Sequence, residues 1–222
     1  AMVDAAVGGK NGVDVEIYKN MVGTVYQPAF ILFDYSFLET LPVDEWMNGF
    51  AEIIKHACIK DKLMFDMLER YTAHEIQADS TLIASLIERN VAIKMAVVTE
   101  DEFEKADRKL LNFGHTIGHA IEKLYQLPHG CAVSIGIVAA CNLSEKINGL
   151  HFSEAQRVVT LLARYHLPVY REIEYDKVFD VLKLDKKREA DLMHFVLLNK
   201  IGHAEAKPVK MDYLRENLQY LL

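Results

Sequence analysis

Hydrophobic positions along this chain recur mostly at steps of three and four, the period of helices that bury one face. The pattern predicts helices over residues 44–59, 60–72, 80–100, 102–125, 131–147, 153–165, 175–184 and 210–221. Pro42 opens the first of them, and Asp44 and Ser80 are placed to cap helix N-termini. Two stretches break the helical period. Phe30–Asp34 (FILFD) reads as a short strand, and residues 193–207 run apolar across an Asn-Lys-Ile-Gly turn, as a hairpin does. Residues 3–28 are punctuated by Gly8, Gly9, Gly12, Gly23 and Pro28 and read as loop. With no internal repeat, linker or low-complexity tract, residues 1–222 read as one mainly α, multi-helix domain with a short strand and a C-terminal β-hairpin.

One segment departs from an ordinary amphipathic helix. Between Glu104 and Glu122 (EKADRKLLNFGHTIGHAIE), helical spacing puts Glu104, Arg108, Asn112, His115, His119 and Glu122 on one side. Leu110, Leu111, Phe113, Ile117 and Ile121 fall on the other. Gly114 and Gly118 sit inside the same stretch, each costing a helix about 1 kcal/mol against alanine. A helix that tolerates this needs the close approach of another backbone or of a ligand. The stripe therefore reads as one wall of a polar pocket.

Composition narrows the function classes. Hydrophobic residues make up 51% of the 222 positions and charged ones 26%, an ordinary globular balance long enough for a core without disulfides. The net charge of −7 argues against a general binder of nucleic acid backbones. Cys58, Cys131 and Cys141 show no CxxC spacing, which fits a reducing cytoplasm. No apolar run approaches the length of a membrane span, and AMVDAAVGGK lacks the regions of a signal peptide. A glycine-rich, functional-looking loop begins within these first residues, so the chain is expected to be part of a longer protein.

Several residue groups could carry chemistry. His115 and His119, four apart, could aim two imidazoles at one metal, but Thr116 follows where HExxH proteases have their glutamate base. One histidine could instead bind metal while the other handles protons or an anion. Glu52, Lys55 and His56 share a helix face; by spacing alone they read as an exposed i, i+3 salt bridge. Pro128-His129-Gly130 turns into a small-residue helix, where the positive helix end favours a neutral imidazole. Glu52, His115 and His129 together would give the O, N, N set of catalytic zinc, with an open position for substrate. Lys10 among three glycines, with Lys19-Asn20 nearby, suits a phosphate or carboxylate, though neither a Walker loop nor GxGxxG is present. Lys94 is a lone cation in an apolar helix, either snorkelling or facing a polar cavity. Asp185-Lys186-Lys187-Arg188 is either a solvated basic cluster or one that closes over an anion.

Taken in order, VDAAVGGKNGV, YKNMVGTVYQP, LPVDEWMNGFAEIIKH, KMAVVTEDEFEKADRKLLNFGHTIGHAIE, LPHGCAV and DKKREADLMHFVLLNKIG resemble the motifs of the 3-dehydroquinate synthases across nearly the whole chain. The resemblance implies the helical, C-terminal metal- and substrate-binding domain of a two-domain enzyme whose NAD-holding N-terminal domain is absent here. It implies a lyase of the shikimate pathway, and so of aromatic amino acid biosynthesis. Its substrate would be 3-deoxy-D-arabino-heptulosonate 7-phosphate, and its products 3-dehydroquinate and phosphate. Zinc, or cobalt, would be held by Glu52, His115 and His129, and NAD would be bound in the full-length enzyme. Lys10, Asn20 and His119 would hold the phosphate and help its departure, Lys186 would add charge, and Glu104 would be a pocket carboxylate. Asp4, Lys55, Lys94, Arg108 and Asn112 would bind the substrate's hydroxyls and carboxylate. A homodimer is implied for the full-length enzyme. Asn11 stands where the family has threonine, and Cys131 where it commonly has glutamate. Other sugar-phosphate cyclases and polyol dehydrogenases share the layout. A metal- and anion-binding module without turnover is the remaining alternative.

Overall fold

The computed structural model of the chain describes residues 2–15, 18–101, 107–184 and 188–222. Glycine-rich residues at the N-terminal end, read above as loop, form an antiparallel ribbon of β1 (Lys10–Val15) and β2 (Tyr18–Val25). Gly12 faces Gly23 across the ladder, so these glycines lie within strands rather than ending them. Phe30–Asp34 is not a strand: it has no ladder partner among the described residues, and Phe30 and Leu32 are more than 80% exposed. An apolar run of this length becomes a strand only beside another strand.

The helical body then begins. α1 (Val43–Lys60) starts after Pro42, not at a capping Asp44, and ends at Asp61. Asp61 splits the expected 60–72 helix: its carboxylate accepts the Met64 N–H, opening α2 (Lys62–Leu68), and also takes both nitrogens of the Arg89 fork. α3 (Ala73–Ala78) was not anticipated, although Thr72 and Glu75 form a reciprocal capping box. α4 (Ser80–Glu100) is capped by Asp79, which accepts from Thr81 and Leu82, rather than by Ser80.

The expected helix over 102–125 is broken. Residues 107–112 form a 3-10 helix, and α5 (His115–Tyr125) starts only after Gly114, whose φ of 76° is left-handed. Packing is the reason. A Cβ on Gly114 would stand 2.5 Å from Ile137 Cγ1, and one on Gly136 would stand 2.0 Å from the Gly114 carbonyl oxygen. The chain turns there so that its backbone can lie against α6 (His129–Asn148), which starts at His129, two residues earlier than its periodicity suggests. Close approach, inferred above from the glycines, is thus to another backbone.

α6 is also long and apolar enough by composition to cross a membrane, contrary to the expectation from the sequence, but about two thirds of that window is buried as a core helix. One cluster packs Phe50, Ile54 and Cys58 of α1 with α2, Val133 and Ile137, and Tyr165. A second packs Ile117 and Ile121 with the other face of α6, with α8 (Tyr175–Lys183) and with the C-terminal helix α9 (Met211–Asn217). Between α6 and α8 runs α7 (Phe152–Arg164). The anticipated hairpin is β4 (Leu192–Lys200) with β5 (His203–Lys210), and β3 (Arg188–Glu189) adds an edge. β4 sends Val196 and Leu198 into the first cluster and Phe195 and Leu197 into the second, which is why it reads as a continuous apolar run.

Candidate metal centre

Three helices bring the expected ligand set together. Glu52 lies in the middle of α1, His115 opens α5 and His129 opens α6, and one donor atom from each lies within 4.8 Å of the others. His129 Nε2 is 3.0 Å and His115 Nε2 3.4 Å from the same oxygen, Glu52 Oε1. The α5–α6 crossing sets this geometry, and the Gly130 N–H, donating to Asn48 Oδ1 at 2.7 Å, ties the start of α6 to α1.

The donor chemistry fits a divalent metal. His115 Nδ1 lies 3.0 Å from the Phe113 carbonyl, so that nitrogen carries the proton and donates it. Nε2 then presents a lone pair to a buried carboxylate oxygen, an acceptor facing an acceptor that a cation between them would reconcile. Burial alone would raise the Glu52 carboxyl, but the Lys55 ammonium beside it holds it well below the ordinary carboxylate range. His129 is pushed up to about 9, chiefly by Glu122 and then by Glu52. His119 stacks edge-on against His115 with ring centroids 5.2 Å apart, at the margin of the set. Cys131, half-buried on α6, belongs to none of the metal-capable groups among the described residues.

A buried cluster of two lysines and Asp4 adjoins these ligands. Lys55, 1% exposed, donates to Asp4 Oδ2 at 2.8 Å and pairs with Glu52; Lys94 pairs with the Asp4 carboxylate and backbone carbonyl. Burial would lower the Lys55 ammonium, but the Asp4 and Glu52 carboxylates outweigh it and raise it. Lys94 is lowered, burial outweighing its contact with Asp4. The structure overturns one reading taken from spacing and settles another that spacing left open. Glu52 and Lys55 are buried rather than an exposed pair, and Lys94 faces a polar cluster rather than snorkelling.

His56 is fully buried beside this group. Its Nδ1 lies 2.9 Å from Asn90 Oδ1, while Asn90 Nδ2 donates to the Leu86 carbonyl and so orients the amide. His56 Nδ1 is therefore the protonated nitrogen, and Nε2 faces Asp4 Oδ2 at 3.8 Å. Burial, with help from Lys55, pushes His56 down to about 4. Sequence reading assigned Asn90 nothing; a lone amide four residues before Lys94 in an apolar helix was the available signal.

Other expected residues are placed differently. Arg108 is buried, donating its backbone N–H to Asp101 at 3.0 Å and its guanidinium to the Gly8 carbonyl at 2.8 Å, so it braces the loop carrying Asp4. Asn112 donates to the Lys109 carbonyl of its own turn. Lys10 is exposed at the start of β1. Asn20 lies on β2, with its side chain outside the described residues, and Glu104 and Lys186 lie outside them altogether. A separate cavity of about 180 Å³, lined by Phe37, Leu41, Trp46, Phe50, Ile83 and Leu86, is mostly apolar, with Glu45 the one ionisable group in its wall among the described residues.

Known proteins resemble this chain in sequence and in fold. The family model described as 3-dehydroquinate synthase C-terminal matches residues 49–188, and the one described as 3-dehydroquinate synthase N-terminal matches residues 1–48, the two meeting inside α1. A 3-dehydroquinate synthase of Paenarthrobacter aurescens is 40% identical over 204 residues, 90% of this chain and 56% of that protein. A solved 2-epi-5-epi-valiolone synthase from Streptomyces hygroscopicus subsp. jinggangensis 5008, with NAD+ and Zn2+ bound, superposes with a TM-score of 0.88 at 29% identity. It is matched over 99% of this chain and 63% of its own. A 2-deoxy-scyllo-inosose synthase complexed with carbaglucose-6-phosphate, NAD+ and Co2+ superposes with a TM-score of 0.84 at 25% identity, over 100% of this chain and 65% of its own. The chain spans a little over half the length of the first of these relatives. With a family model covering residues 49–188 and its companion the residues before them, the chain belongs to the 3-dehydroquinate synthase family.

Proposed function

We propose that these 222 residues form the metal- and substrate-binding part of a 3-dehydroquinate synthase. The reaction would convert 3-deoxy-D-arabino-heptulosonate 7-phosphate to 3-dehydroquinate and phosphate, with NAD and zinc or cobalt as cofactors, in the cytoplasm. The observation that carries this reading is the convergence of Glu52, His115 and His129 beside the Lys55–Asp4–Lys94 cluster. A polyol acid needs both a Lewis acid for its oxygens and fixed cations for its carboxylate.

Glu52, His115 and His129 would hold the metal. When bound, metal and dinucleotide supply Lewis acidity and a reversible hydride acceptor. The chain's own residues do the rest. Lys55 and Lys94 hold the substrate's carboxylate and hydroxyls, with Asp4 as the hydroxyl acceptor between them. Arg108 keeps the Asp4 loop in place through Gly8. His119 gives a proton toward the departing phosphate, Lys10 and Asn20 hold it, and Lys186 adds positive charge. Glu104 is the pocket carboxylate of this scheme.

Binding tests the substrate class without requiring turnover. The zinc-loaded chain should bind the carboxylated heptulosonate phosphate at least about tenfold more tightly than a hexose 6-phosphate, because only the former offers a carboxylate to the lysines. Equal affinity, or the reverse preference, would instead favour another sugar-phosphate cyclase, the second reading that the two solved relatives support. The chain alone, supplied with NAD and zinc, is expected to form no 3-dehydroquinate. Product above a His119→Ala control would contradict that expectation.

A further inference from the structure

An imidazole gives a metal one nitrogen, and the hydrogen bond made by the other decides which. For His115 the second partner is the Phe113 carbonyl. For His129 a side chain stands in the corresponding place, within ion-pair reach and not in a formed hydrogen bond. Nε2 faces Glu52 Oε1 at 3.0 Å, and Nδ1 faces Glu122 Oε2 at 3.5 Å. Glu122 lies one helical turn after His119 on α5, its side chain 15% exposed, so the helix that supplies His115 also supplies this carboxylate. We propose that Glu122 is a positioning residue for the metal centre, holding His129 in the Nδ1–H tautomer with Nε2 directed at the ion. The inference rests on the metal-centre reading above.

The geometry also contains a rival. His119, Glu122 and His129 present donor atoms within 4.8 Å of one another, so Glu122 could itself be a ligand. That set would need His129 to offer Nδ1 and to give up its alignment with Glu52. One imidazole cannot serve both sets with a single ion. Glu52, buried between two Nε2 atoms, makes the first set the better anchored.

Titration of Co2+ into the metal-free 222-residue chain separates these roles, with affinity read by chelator competition and ligand geometry by the visible spectrum of the bound ion. Glu122→Gln keeps an acceptor of the same shape, whereas Glu122→Leu removes it. Loss of such an outer carboxylate typically weakens metal binding by about tenfold or more. Glu122→Leu is expected to show that loss with an altered spectrum, and Glu122→Gln a smaller loss with the parent spectrum. Parent affinity and spectrum in Glu122→Leu would overturn the inference. Equal loss and the same altered spectrum in both variants would overturn it in favour of direct ligation. His115→Ala is the control. Weakened binding there beside parent binding in Glu122→Leu overturns the positioning role alone, and undiminished binding in His115→Ala overturns the metal centre with it.

Discussion

The corner where α5 crosses α6 and the ribbon of β1 and β2 are built by opposite means. At the corner, backbones touch: Gly136 packs against the Gly114 carbonyl, and buried side chains fill both flanks. On the ribbon, Val13 and Val22 are more than 60% exposed, and Tyr26, Phe30 and Leu32 beyond it have no core of their own among the described residues. The proposed metal ligands all belong to the helical side, whereas Lys10 and Asn20 belong to the ribbon. Ligand geometry is thus fixed by packing inside these residues. The proposed phosphate contacts lie on strands whose described side chains are largely exposed.

Substitutions should reveal the contrast, the largest at the crossing. Gly136→Ala drives a Cβ into backbone rather than into a yielding side chain, so its cost should exceed the usual 1–3 kcal/mol of overpacking and reach about 5 kcal/mol in urea unfolding. Lys55→Met leaves the Asp4 and Glu52 carboxylates one buried cation short and should cost about 3 kcal/mol in the metal-free chain. Loss below about 1 kcal/mol would mean that these carboxylates are solvated.

Acid should act through His56. Its pKa is 6.5 ordinarily and about 4 in the fold, so between those values the unfolded chain binds a proton that the native one refuses. Its effect leaves stability intact above pH 6.5 and erodes it as pH falls toward and below 4, by about 3 kcal/mol in all. The slope should shrink in His56→Gln; an unchanged slope would assign the acid sensitivity to other groups. On the ribbon, Val22→Thr should change stability by no more than about 0.5 kcal/mol. A larger loss would show that the ribbon packs more firmly than its exposure indicates.

What could be read from sequence divides along the same line. Glu52, His115 and His129 were assigned as a ligand set through the resemblance, whereas spacing alone read Glu52 as half of an exposed salt bridge; three separate helices bring them together only in the fold. α4 and the β4–β5 hairpin were legible because their periods are long and unbroken. The single helix over 102–125 was not correct, because a glycine inside a helical pattern signals close approach without saying that the chain turns to achieve it. FILFD failed as a strand because a strand exists only with its neighbours. The ribbon was missed because glycines paired across a ladder resemble glycines in a turn. Glu122 lay in the stripe but acquired a role only when His129, which follows on the next helix, was seen to face it.

The most direct test of the central claim is metal stoichiometry by elemental analysis, on this chain and on His115→Ala after equal exposure to zinc and dialysis. The account predicts one zinc per chain, lost in the variant. Zinc retained in the variant, or absent from both, would contradict it.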